Sequence, residues 1–138
     1  MCIRDSFIGF SNRFVEPLSF VYQLPVGIVI IICGLLNLIS AVRVFKHLET
    51  TINPLQPSQA SKLATIGPFK YSRNPMYLGM LLILISMTIK FNFVGGILII
   101  FAFITFITKF QIIPEETALE KLFGKEFTQY KKKTKRWI

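Results

Sequence analysis

Two short stretches of this 138-residue chain concentrate the side chains able to do chemistry. The first lies within Asn53 to Tyr77 and ends Thr65-Ile66-Gly67-Pro68-Phe69-Lys70-Tyr71-Ser72-Arg73-Asn74-Pro75-Met76-Tyr77. The second runs from Lys109 to Glu116 and carries Lys109, Gln111, Glu115 and Glu116, with Thr105 and Thr108 just upstream. Arg73 presents a planar fork of N–H donors suited to a carboxylate or phosphate. Adjacent helical residues point roughly 100° apart, so Glu115 and Glu116 should not share one target; one is expected to hold a cation and the other to pair with Arg73. Each stretch also has an ordinary account. Gly67-Pro68 and Asn74-Pro75 force turns and Pro75 suits the first turn of a helix, which would make the first stretch a membrane-entry loop with interfacial aromatics and a lipid-anchoring Arg73. Pro114-Glu115-Glu116 is equally what the start of a helix wants from its macrodipole. The polar run before it argues for more, because ionisable groups at that depth are costly and usually face a partner or a ligand.

The elements that must position these residues are membrane helices. Hydrophobic residues make up 52% of the chain and charged ones 17%, with a mean hydropathy of +0.55, which leaves too little polar surface for an ordinary water-borne enzyme. The length fits one domain, 1–138, with no room for a separate Rossmann-type cofactor domain. Apolar runs predict spans over 24–42, 75–91 and 94–113, the last two joined at Lys90-Phe91-Asn92 as a transmembrane hairpin. After them Leu119, Leu122, Phe123, Phe127 and Tyr130 recur at helical spacing against charged residues. The expected fold is therefore all-α, an integral membrane helical bundle with a transmembrane hairpin and a C-terminal amphipathic interfacial helix. Met1–Ser6, unlike anything that follows, is set aside, and Phe7 to Tyr22 is read as an interfacial segment or part of a further span.

Charge sets the sidedness. Arg43, Lys46, Lys62, Lys70 and Arg73 face only Glu49 in the loop after the first span, and the tail adds Lys131, Lys132, Lys133, Lys135 and Arg136. Both segments should be cytoplasmic, in a bacterial inner membrane, which brings the two chemical stretches to one end of the bundle. The net charge of +9 points to anionic lipid rather than nucleic acid, and the tail cluster reads most simply as a headgroup anchor. Cys2 and Cys33 are far apart and His47 stands alone, so neither a disulfide framework nor a metal site is expected.

With both stretches in view, the chain resembles the isoprenylcysteine carboxyl methyltransferase family and its wider group of membrane methyltransferases, phospholipid N-methyltransferases among them. The resemblance is carried by Thr65, Gly67-Pro68-Phe69, Arg73-Asn74-Pro75-Met76-Tyr77-Leu78-Gly79, Glu115-Glu116, Leu119, Phe123-Gly124, Phe127, Tyr130 and Arg136-Trp137-Ile138, from about Asn53 onward. It implies a helical membrane enzyme that binds S-adenosylmethionine at the cytoplasmic end and methylates a lipidic acceptor. It also implies cofactor contacts at Leu63, Ala64, Phe69, Asn74, Pro75, Met76, Tyr77 and Glu115. Three positions depart from the family pattern: Asn74 stands where His is usual, Phe69 where Tyr is usual, and Gln111 where the prenyl-protein enzymes have Arg. Lys109 is the nearest base to that last position, so Lys109 and Gln111 are candidate substrate-binding residues.

Methyl transfer from a sulfonium neutralises the sulfur, so positioning and shelter from water carry most of the rate. Ring faces at Phe69 and Tyr77 would hold the sulfonium, and Glu115 the cofactor's ammonium or ribose. Arg73 and Glu116 are the candidate catalytic residues: Arg73 pairs with the cofactor carboxylate, the acceptor's negative charge or Glu116, and Glu116 takes a proton if the acceptor is an amine. The expected acceptor is a membrane-presented lipid or lipidated molecule, either an isoprenylcysteine-like carboxylate or a phospholipid amine. A non-catalytic lipid-binding anchor with the same fold is the reading from another class, and it would tolerate Glu115→Ala.

Overall fold

A computed structural model describes residues 22–50, 61–91 and 93–138 of the chain. The expected interfacial segment from Phe7 onward, the first part of the loop before Ser61, and Asn92 of the hairpin turn lie outside them. The described elements are α1 (Gln23–His47), a 3-10 turn (Gly67–Lys70), α2 (Pro75–Phe91), α3 (Phe93–Ile107), a π-helical turn (Thr108–Ile112), α4 (Ile113–Phe123) and α5 (Lys125–Lys133). Among the described residues the only β pairing is a single parallel bridge between Ser72 and Lys135. The architecture is an all-α membrane bundle. Two stretches, Gln23–His47 and Val94–Phe123, are long and apolar enough to cross a membrane, and α2 is a shorter apolar helix.

The sequence of α1 explains how it packs. Gly27, Gly34 and Ala41 recur every seventh residue and are its buried positions, so they form one stripe of small side chains. Lipid tails are as apolar as leucine, so such stripes, which let backbones approach, supply much of the packing between membrane helices. Here the approach is close: a Cβ placed on Gly79 of α2 would lie 2.8 Å from the Gly34 carbonyl oxygen, and one on Gly34 would lie 2.9 Å from the Gly79 oxygen. Polar clamps tie the same antiparallel pair along its length. Gln23 Nε2 donates to the Ile89 carbonyl at 3.2 Å, Ser86 Oγ to Gly27 at 2.8 Å and Asn37 Nδ2 to Pro75 at 2.9 Å. The outward faces are left apolar and open, with Leu36 of α1 59% exposed and Leu98 and Phe101 of α3 69% and 72%. That is a surface for lipid, not water.

α3 and α4 form one continuous helical stretch around Pro114, which a regular α-helix does not tolerate. Proline has no N–H for the carbonyl of residue 110 and its ring crowds that oxygen. The π turn absorbs the conflict by inserting an extra residue, with the Ile113 N–H bonded to the Thr108 carbonyl. Gly124, at φ 49°, then ends α4 and turns the chain into α5. Phe127, Tyr130 and Thr134, at helical spacing, are buried, and the latter two donate to carbonyls of the 3-10 turn itself, in the loop between α1 and α2. The amphipathic side of the tail is thus covered by the protein's own loop. That loop is anchored in turn by Phe69, which forms a cluster with Ala41 and Ala64 and meets Phe45 edge-on at 5.2 Å. Gly67, at φ 61°, supplies the left-handed turn that delivers Phe69 there.

Candidate functional site

The two stretches converge where α2 and α4 begin. Asn74 is the last residue before α2, Pro75 opens it, and Tyr77 stands inside its first turn, where its hydroxyl donates to Glu115 Oε2 at 3.3 Å. Gln111, on the π turn, lies near the same hydroxyl. Glu115 and Glu116 sit in the first turn of α4, past the span expected over 94–113 and within the longer helical stretch Val94–Phe123. Burial pushes the Glu115 carboxyl up to about 7; the Tyr77 hydrogen bond opposes that shift and the neighbouring Glu116 charge adds to it.

Glu116 turns the other way and is gripped by two guanidinium groups. Arg136 donates to it through a bidentate fork, Nε to Oε1 at 3.1 Å and Nη2 to Oε2 at 2.8 Å. That bond raises the pKa of Arg136 further above its ordinary value, with burial working against it. Arg73 Nη1 lies 3.3 Å from Glu116 Oε1, close enough for attraction. The alignment needed for a hydrogen bond is missing, however, and both Nε and Nη1 of Arg73 are buried without a hydrogen-bond partner. A buried donor left unmade costs about 1–3 kcal/mol, and more for a charged group. Arg73 is therefore held beside Glu116 with its strongest bonding capacity unspent.

Backbone bonds hold the tail against this corner. The Arg73 N–H donates to the Lys135 carbonyl at 3.0 Å, and Asn74 Nδ2 to the Arg136 carbonyl at 3.0 Å. Ser72 Oγ accepts from the Asn74 N–H at 3.1 Å, Tyr130 donates to the Phe69 carbonyl at 2.6 Å, and Thr134 to the Lys70 carbonyl at 3.3 Å. Burial raises the Tyr130 pKa, with the Arg73 charge opposing, so that hydroxyl stays a donor.

The residues expected from the sequence separate into groups. Arg73, Tyr77, Glu115, Glu116 and Gln111 are brought together at the corner. Ala64, Phe69 and Met76 pack as a wall against α1, Leu63 is half-buried beside them in sequence, and Pro75 is fully buried. Asn74 spends its side-chain amide on the tail. Lys109 is exposed, its ammonium 5.7 Å from the centre of the Phe110 ring, and has no described bond to the corner. An open apolar groove of about 610 Å³ runs along α4, lined by Ile113, Pro114, Thr117, Ala118, Lys121 and Leu122, and none of the corner's residues lines it. Sequence reasoning missed Arg136, Tyr130, Ser72 and Thr134 as parts of the site. Arg136 and Tyr130 stood within the pattern that carried the family resemblance, but the basic run masked the different task of the arginine.

An uncharacterised protein of Haemophilus influenzae is 44% identical to this chain over 63 residues, which is the whole of that protein and 46% of this one. No solved structure matches the chain. The phospholipid methyltransferase family matches residues 22–126, from the start of α1 into α5 and through both halves of the corner. On that match, this membrane protein belongs to the phospholipid methyltransferase family, whose members transfer methyl groups to lipid-like substrates.

Proposed function

We propose that the protein is an S-adenosylmethionine-dependent methyltransferase whose acceptor is the amine-bearing headgroup of a membrane phospholipid. The observation that carries this reading is the juxtaposition, at one corner, of the Tyr77–Glu115 pair with an arginine, Arg73, two of whose buried donors make no hydrogen bond. The cofactor has a sulfonium, an ammonium and a carboxylate, and the corner offers an aromatic ring, a carboxylate and a guanidinium, so the residues present fit it. When bound, the cofactor supplies a methyl group on a cationic sulfur, open to in-line displacement.

The chain's own residues then have distinct tasks. Tyr77 presents its ring to the sulfonium and orients Glu115 through its hydroxyl. Glu115, the carboxylate not occupied by arginine, receives the cofactor's ammonium. Arg73 turns its spare N–H groups to an oxyanion. The packed wall of Ala64, Phe69 and Met76 keeps water from the reacting atoms, and Lys109 meets anionic headgroups at the rim. Glu116 holds the arginines in place. Both its oxygens are already engaged, so a substrate amine has no free carboxylate there.

That occupancy favours a second assignment within the same activity, in which Glu115 takes the proton from the acceptor amine. Incubating purified protein with methyl-labelled cofactor and either phosphatidylethanolamine or a prenylcysteine analogue tests the proposal. Label is expected in the phospholipid. Label in the prenylcysteine ester alone would move the acceptor to the carboxylate class. No label in either, from folded protein that also fails to bind S-adenosylhomocysteine, would leave a non-catalytic anchor.

A further inference from the structure

The tail beyond residue 126 lies outside the stretch matched by the family, yet it supplies one of the two guanidinium groups on Glu116. We propose that Arg136 is a positioning residue: carried on a tail that Asn74 latches in place, it occupies Glu116 and so leaves the buried N–H donors of Arg73, Nε foremost, to the oxyanion of a ligand. The inference deepens the methyltransferase reading and rests on it for the identity of that ligand.

The two arginines do not share Glu116 equally. Arg136 engages both oxygens in the parallel fork that makes such pairs directional. Arg73 approaches one oxygen off-axis at 3.3 Å and keeps Nε and Nη1 buried and unbonded. Were Arg136 absent, Glu116 would be a buried carboxylate with Arg73 as its one ion-pair partner among the described residues, and a small rotation would turn the off-axis contact into full hydrogen bonds. Arg73 would then be spent on its own protein. The position of Arg136 depends on the latch. Its carbonyl accepts from Asn74 Nδ2 at 3.0 Å and, at 3.5 Å, from Ser72 Oγ, while the carbonyl of the preceding residue accepts from the Arg73 N–H. Asn74 thus acts on Arg73 through the tail, which gives it a task that needs no imidazole at that position.

The ligand class is an oxyanion, and two sources carry one: the amino-acid carboxylate of the cofactor and the phosphate of the acceptor headgroup. The test uses the full chain in detergent micelles or nanodiscs. Calorimetric titration with S-adenosylhomocysteine is compared for wild type, Arg136→Gln and Arg136→Gln combined with Glu116→Gln. Steady-state methylation of phosphatidylethanolamine is measured in parallel. Arg136→Gln is expected to weaken S-adenosylhomocysteine binding roughly tenfold if the carboxylate is the source. If the phosphate is the source, it should instead raise KM for the phospholipid by a similar factor with kcat unchanged. In either case, adding Glu116→Gln should restore most of the loss. A purely structural tail would instead leave the double variant as impaired as the single one.

A second readout needs no ligand. Hydrogen exchange at the Arg73 amide, protected by its bond to Lys135, should accelerate about tenfold or more in Asn74→Ala. Unchanged affinity and KM in Arg136→Gln, or a double variant that is not rescued, overturns the positioning role. Unchanged exchange in Asn74→Ala overturns the latch. A wild type that neither binds S-adenosylhomocysteine nor methylates lipid sinks the enzyme reading instead, and the exchange experiment still decides the latch.

Discussion

At the scale of single residues, the corner works by giving two adjacent acids opposite partners. Glu115 meets a neutral phenol and Glu116 two cations, so one carboxylate is left for a ligand and the other is satisfied by the protein. The consequence for pH follows from Glu115. Its carboxyl is raised from an ordinary value of 4.5 to about 7. Between those values the folded protein holds a proton that the unfolded chain has released, so Glu115 costs stability as pH rises through that window. A cationic ligand reverses the preference by binding the ionised form. Affinity for S-adenosylhomocysteine should therefore climb from pH 6 to 8 and level off above, and titration near neutral pH should release protons detectable in buffers of different ionisation enthalpy. In Glu115→Gln the slope should vanish along with most of the affinity. If Glu115 is instead the base for the acceptor amine, kcat carries the slope and binding is flat. Tyr77→Phe, which keeps the ring but removes the bond to a charged partner, should weaken binding by about 1.5–3 kcal/mol, read by the same titration. The acidic pair, Arg73 and Tyr77 were legible in the sequence because each is a rare polar type at the end of an apolar run. Arg136 was not: among Lys131, Lys132, Lys133 and Lys135 an arginine looks like one more cation, and only its planar fork on Glu116 sets it apart.

The elements supply the precision, and two backbone features matter most. The first is the π turn before Pro114. It adds one residue to a helical turn and so rotates everything beyond it by roughly 100° relative to a regular helix. The spacing of Glu115 and Glu116 was plain in the sequence, but the face they present was set by this turn, which no apolar periodicity announces. Pro114→Ala removes the reason for the turn. A regular helix should then carry the acids off the corner, abolishing S-adenosylhomocysteine binding while thermal unfolding in detergent shifts little. A loss of stability with binding retained would mean the turn is held by its neighbours instead. The second feature is the α1–α2 crossing. Apolar helices were legible from composition alone, but which faces meet was not, because nearly every position in both helices is apolar. The contact is set by the small residues, and a Cβ at Gly79 would stand 2.7 Å from Leu38 Cγ and 2.8 Å from the Gly34 oxygen. Gly79→Ala should cost about 1–3 kcal/mol through forced separation, measured by thermal or denaturant unfolding in micelles.

For the whole molecule, the question is which side of the bilayer the parts occupy, and here sequence and structure contribute different premises. Loop and tail charges predict that the segments around Lys62 and Lys132 are both cytoplasmic, and three spans with a hairpin make that parity consistent. The structure adds a constraint that charge counting lacks. The loop and the tail are bonded to each other through the Ser72–Lys135 bridge, the Asn74–Arg136 contact and the Tyr130–Phe69 contact. Separating them across a bilayer would strand these backbone groups and break the Glu116 ion pairs, so the two segments must lie on one side whichever side that is. The tail's long-range backbone partners could not be read from the sequence, since an extended Thr-Lys-Arg segment carries no periodic signal and those partners stand in a loop some sixty residues away. A labelling experiment separates the premises. With Cys2 and Cys33 changed to Ser, single cysteines at Lys62, Lys132 and Asn92 are probed with a membrane-impermeant maleimide in spheroplasts and in inverted vesicles. Lys62→Cys and Lys132→Cys should react only in inverted vesicles, and Asn92→Cys, between α2 and α3, only in spheroplasts. If the first two reacted together but in spheroplasts, the bonded corner would stand and the charge rule would fail for this chain. If they reacted from opposite sides, the corner that holds Arg73, Glu115 and Glu116 in one place would be wrong, and the proposed chemistry with it.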